Sequence, residues 1–160
     1  MGDLVKESRD GSWFDRLDGV VPSGIPTKSV AIIGCGSVGS FVADELARAG
    51  ISKFLLIDPD IVEWRNLTRT IYGYAAVGQP KVDALKTHLM SIFPDVSAST
   101  LCIEVQRLRP QLRDLLGSVD LVVSALDDPE ASGIVDRYCY ALSKPALFVG
   151  IYNLSRGKRR

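Results

Sequence analysis

The run Val30-Ala31-Ile32-Ile33-Gly34-Cys35-Gly36-Ser37-Val38-Gly39 constrains the fold of this chain more than any other stretch. Four apolar residues read as a buried strand. A Gly-x-Gly-x-x-Gly loop follows, and a helical pattern begins at once. In such a loop the first glycine (Gly34) permits the tight turn out of the strand. The second (Gly36) lets backbone approach a phosphate, and the third (Gly39) lets the helix pack closely on the strand. Unpaired N–H groups at the helix start, reinforced by the helix dipole, favour an anionic ligand. The loop therefore points to a nucleotide. Glycine turns also join strands to helices where no ligand binds. A second apolar run, Lys53-Phe54-Leu55-Leu56-Ile57, ends at Asp58, 19 positions after Gly39. An acidic residue at about that distance commonly holds ribose hydroxyls.

From Ser29 onward the pattern alternates. Strands are expected over 29–34, 53–58, 97–105, 119–125 and 146–150. Helices are expected over 38–50, 79–92, 108–116 and 129–142. Alternating strands and helices imply a mostly parallel sheet covered on both faces. Right-handed crossovers make this a Rossmann-like, doubly wound α/β fold, with its ligand at the carboxyl ends of the strands. Residues 1–28 read as an arm, in which Trp13, Phe14 and Leu17 fit one helix face before Pro22, Gly24 and Pro26 break it. Residues 29–160 then form the nucleotide-binding domain.

Charge and cysteine usage narrow the function. Lys+Arg and Asp+Glu both number 19, which argues against a general nucleic-acid or membrane-surface binder. Cys35, Cys102 and Cys139 are scattered and odd in number, as expected of reduced thiols in a cytoplasmic protein. They form no zinc spacing with the lone His88, which reads as an exposed helix residue. The N-terminus carries Asp3, Glu7 and Asp10 and lacks the apolar segment of a signal peptide, and no run reaches the length of a membrane span.

The segment after the second strand separates the nucleotide chemistries. A dehydrogenase would enter a helix soon after Asp58. This chain instead runs Asp58-Pro59-Asp60-Ile61-Val62-Glu63-Trp64-Arg65-Asn66-Leu67-Thr68-Arg69 and reaches Gly78-Gln79-Pro80-Lys81 only through a further loop. A long loop at the ligand edge of such a sheet is often functional. The amide of Asn66, the guanidinium of Arg69 and the ammonium of Lys81 suit a polyphosphate whose charge rises during reaction. Lys81 stands at a helix start, where a cation opposes the dipole and an external anion would offset the cost.

With Gly34-x-Gly36-x-x-Gly39, Asp58-x-Asp60, Asn66-Leu67-x-Arg69, Gly78-x-Pro80-Lys81 and Leu126-Asp127-Asp128 in this order, the chain resembles the ubiquitin-activating-enzyme-like adenylyltransferases of the ThiF/MoeB type. The resemblance covers roughly residues 29–150. It implies ATP-dependent adenylation of the C-terminal glycine of a ubiquitin-like or sulfur-carrier protein. The glycines would line the nucleotide phosphates, Asp58 and Asp60 would belong to the nucleotide site, and Asn66, Arg69 and Lys81 would hold the triphosphate. Asp127 would hold Mg²⁺, so that Arg69, Lys81 and Asp127 form the catalytic set. It also implies a homodimer, for which the arm offers Arg9 and Arg16, and a C-terminus shorter than the family's. The chain departs from the family pattern at Ser124 and Asp128, where the family often has Asp and Asn, and at Ser132, where Arg is common. An NAD(P)- or FAD-dependent oxidoreductase and a non-catalytic nucleotide-binding scaffold remain the alternatives.

Overall fold

The computed structural model describes residues 25–150, residue 94 excepted. Residues 1–24 of the expected arm, with Arg9, Trp13, Phe14, Arg16 and Leu17, lie outside the described residues. Five strands, β1 (Ser29–Ile33), β2 (Lys53–Ile57), β3 (Ser97–Leu101), β4 (Leu121–Ser124) and β5 (Ala146–Phe148), alternate with four helices, α1 (Gly39–Arg48), α2 (Lys81–Ile92), α3 (Arg109–Gly117) and α4 (Pro129–Ala141). The sheet order is β3-β2-β1-β4-β5, with every pairing parallel. This is the doubly wound arrangement expected from the alternation. Among the described residues no helix is long and apolar enough to cross a membrane.

The apolar runs are continuous because the central strands are buried on both faces. Val30, Ile32, Phe54, Leu56 and Val123 pack beneath α1 and α2 with Ala43, Ala47, Val82, Leu85 and Leu89. Their alternate neighbours Ala31, Ile33, Leu55, Ile57 and Val122 pack beneath α3 and α4 with Leu112, Leu116, Ile134, Val135 and Cys139. The chain winds outward from β1 through β2 to β3, then returns to place β4 on the other side of β1. The carboxyl ends of β1 and β4 therefore diverge into a crevice, where ligands of such sheets bind. Gly34, with φ +90°, sits at that point, and a Cβ there would lie 2.7 Å from the Ala125 carbonyl oxygen. No L side chain fits both that dihedral and that distance.

Element ends differ from expectation by local chemistry. β3 stops at Leu101 rather than 105, because Val105–Leu108 winds into a 3-10 helix that buries Val105 and Leu108. A 3-10 helix places i and i+3 on one side. The helix expected from 79 begins at Lys81, with the extended Pro80 as its cap. His88, expected to be exposed, is half-buried, its Nε2 2.8 Å from Asp44 Oδ1. It ties α2 to α1, and Arg48 Nε meets the same carboxylate at 2.8 Å.

Candidate functional site

A cavity of about 840 Å³ opens over the carboxyl ends of β1, β2 and β4. Of the residues singled out in the sequence, Gly34, Gly36, Asp58, Asp60, Asn66, Arg69, Lys81 and Asp127 all line it. Gly39 does not. Its Cβ would lie 1.8 Å from the Gly34 carbonyl oxygen, so this glycine serves the packing of α1 on the loop. A Cβ at Gly36 would meet nothing within 4 Å. The loop thus offers open space at the second glycine and none at the first and third. α1 starts without a side-chain cap and without an acidic residue in its first turn. Its positive end thus carries no compensating side chain.

The acidic end of β2 is built around Asp58. Its Oδ2 accepts the Cys35 N–H at 2.7 Å and its Oδ1 accepts the Asp60 N–H at 2.8 Å. The carboxyl is buried, and that burial raises its pKa against the lowering by these bonds and by Lys81. Lys81, only 8% exposed, points its Nζ to Asp60 Oδ2 at 2.6 Å and lies 4.0 Å from Asp58 Oδ1. The charge that offsets lysine at this helix start is therefore internal, where the sequence suggested an external anion.

The loop from 58 to 80 is folded back on itself. Ile61 bridges Pro80 in antiparallel fashion, Val62 N–H reaches the Gln79 carbonyl at 2.8 Å, and Gly78 N–H reaches the Val62 carbonyl at 2.9 Å. At the tip, Asn66 Oδ1 accepts the Glu63 N–H at 2.9 Å across the 3-10 helix Trp64–Asn66. This spends the amide oxygen locally. Arg69 is exposed at the cavity wall and has no ion pair among the described residues.

Asp127 and Asp128, adjacent in sequence, have different roles. Asp128 caps α4, Oδ1 accepting the Glu130 N–H at 2.9 Å, and Oδ2 accepts Gln106 Nε2 at 2.9 Å. Asp127 is exposed to the cavity with no hydrogen bond or ion pair among the described residues. Ser124, where the family often has Asp, is buried with its hydroxyl unpaired.

Three contributors were not singled out in the sequence. Arg65 lines the cavity and pairs with Glu63. Gln106 lines it from the turn after β3. Tyr72, 5% exposed, donates its hydroxyl to the Cys35 carbonyl at 2.6 Å. Burial, with Cys35 and Asp58 beside it, keeps that phenol protonated well above its usual range. Arg65 could have been found from its place between Glu63 and Asn66, but nothing in the spacing marks Tyr72. Cys35 is fully buried, its thiol pKa pushed up chiefly by that burial. Burial likewise raises the pKa of Cys139. Neither thiol has the environment of a nucleophile.

No three His, Cys, Asp or Glu side chains among the described residues converge as a ready-made metal cage. Mg²⁺ needs no such cage, being held commonly by one or two carboxylates and substrate phosphates. Six acidic side chains (Asp58, Asp60, Glu63, Glu104, Asp127 and Asp128) line the cavity against three basic ones (Arg65, Arg69 and Lys81). A polyanion entering this surplus of negative charge needs a cation, and the unpaired Asp127 fits that need.

A family model described as the ThiF family matches residues 23–155. The ubiquitin-like modifier-activating enzyme 5 of Oryza sativa subsp. japonica is 32% identical over 93% of this chain and 40% of its own length. That of Caenorhabditis elegans is 37% identical over 85% of this chain and 36% of its own. The chain thus spans two fifths or less of the length of these curated relatives. Among solved structures, E. coli MccB with ATP is 28% identical with a TM-score of 0.71, over 81% of this chain and 39% of that one.

Proposed function

Because the chain belongs to the ThiF family, we propose that its cavity binds ATP with Mg²⁺ and activates a carboxylate by adenylation. The substrate would be the C-terminal glycine of a ubiquitin-like or sulfur-carrier protein. The observation that carries this reading is convergence. Loops following β1, β2 and β4, distant in sequence, bring open space at Gly36, two carboxylates, an amide and two cations to one cavity.

Each group has a task. Gly36 and the uncapped start of α1 receive phosphate oxygens. Asp58 spends one lone pair of each oxygen on backbone N–H, and the second on each is free to accept ribose hydroxyls. Asp60 serves the nucleotide through Lys81, whose ammonium it holds at 2.6 Å. As the carboxylate attacks the α-phosphate and pyrophosphate departs, charge grows on the leaving oxygens. Lys81, Arg69 and the Asn66 amide neutralise it, a task of positioning more than of proton transfer. Asp127 would hold Mg²⁺, which supplies Lewis-acid neutralisation of phosphate charge when bound.

The protein would act as a homodimer. The unpaired cysteines among the described residues fit a reducing cytoplasm. Calorimetry on the full chain tests the nucleotide. ATP with Mg²⁺ is expected to bind and NAD⁺ to bind far more weakly. Equal affinities would return the oxidoreductase reading, and no binding of either would leave a scaffold.

A further inference from the structure

The two elements that would face the triphosphate, the glycine loop and the start of α2, belong to different β–α units and are not joined by the sheet ladder. Two side chains link them. Asp58 holds the Cys35 N–H and lies 4.0 Å from Lys81 Nζ. Tyr72 gives its one hydroxyl proton to the Cys35 carbonyl at 2.6 Å, with the Lys81 carbonyl as a second acceptor at 3.2 Å. The ring itself is packed into the α1–α2 side of the core.

Peptide planarity gives this contact a consequence. The Cys35 carbonyl and the Gly36 N–H belong to one trans peptide plane and point in opposite directions. A hydroxyl that grips the carbonyl therefore turns the Gly36 N–H away from Tyr72. Gly36 lines the cavity and has open space where a side chain would stand.

We infer that Tyr72 is a positioning residue: its hydroxyl aims the Gly36 N–H at the bound phosphate and sets the offset between that donor and Lys81. The inference rests on the adenylation reading for its ligand, but the clamp itself is a property of the free protein. Tyr72→Phe keeps the ring and removes only the grip.

Two measurements on the full chain test it. In the free protein, amide hydrogen exchange at Cys35 and at Lys81 should both accelerate in Tyr72→Phe. These amides bond Asp58 Oδ2 and the Asp60 carbonyl and report the two elements separately. By calorimetry, Mg·ATP should bind Tyr72→Phe at least about tenfold more weakly, as expected for a displaced contact group. Leu89→Val, a core change further along α2, should leave that affinity unchanged. Unaltered exchange at either amide overturns the clamp. Wild-type affinity in Tyr72→Phe, or an equal loss in Leu89→Val, overturns its role in binding. Absence of Mg·ATP binding in the unmutated chain would instead sink the adenylation reading, and the exchange measurement alone would then judge the clamp.

Discussion

Gly36 and Gly39, three residues apart, answer to different constraints, and substitution separates them. A Cβ on Gly39 would collide with a backbone oxygen at 1.8 Å. Gly39→Ala should therefore destabilise the fold by about 1–3 kcal/mol or more, read as a lowered urea midpoint. Gly36→Ala has room in the fold but fills the phosphate opening. It should keep the midpoint and lose Mg·ATP affinity by calorimetry. The two cations divide in the same way. Arg69→Ala should cut ATP–pyrophosphate exchange, measured with a cognate carrier, by about 10²-fold at little cost in stability. Lys81→Ala should cost as much in exchange and also lower the midpoint, since Asp58 and Asp60 lose their shared counter-charge. At this scale the sequence marked residues where chemistry and spacing coincide, and Gly34, Gly36, Asp58 and Lys81 do line one cavity. It was silent on Tyr72 and on the Asp44–His88 contact, because a partner 37 or 44 residues away leaves no local pattern.

Among the elements, the best-read strands were β1, β2 and β4, whose burial on both faces demands unbroken apolar runs. β3 is Ser-Ala-Ser-Thr-Leu, half-exposed at the sheet edge, and its end could not be told from the 3-10 helix that follows. At the start of the sheet one carboxylate gathers three donors. Asp120, just before β4, accepts the Ser29 N–H at 2.8 Å, the Ser29 hydroxyl at 2.9 Å and Lys28 Nζ at 3.0 Å. These bonds, the backbone one foremost, lower its pKa to about 2. The folded value lies below the unfolded value of ~3.9, so the stabilisation is present above that value. It fades as pH falls through about 2. Acid titration of the folding equilibrium should show Asp120→Asn less stable than the unmutated chain near neutrality, with the gap closing as pH approaches 2.

For the whole molecule, the winding reversal between β1 and β4 set the place of the site, and the alternation of elements was enough to anticipate it. Assembly was not legible in that way, since a short amphipathic arm reads alike whether it covers its own domain or a neighbour. If the homodimer forms, sedimentation at micromolar concentration should show a two-chain species, and a strict monomer in the presence of ATP and Mg²⁺ would remove it. That measurement has to reckon with β5. On its outer side β5 has no strand partner among the described residues, and Leu147, Phe148 and Val149 stand exposed along it. Such a flank is a template on which any extended chain can be zipped, with little regard for identity. Its consequence is for solubility: larger, concentration-dependent species should form beside the dimer. A lysine placed at the flank, as in Leu147→Lys, should clear them while sparing the two-fold pair.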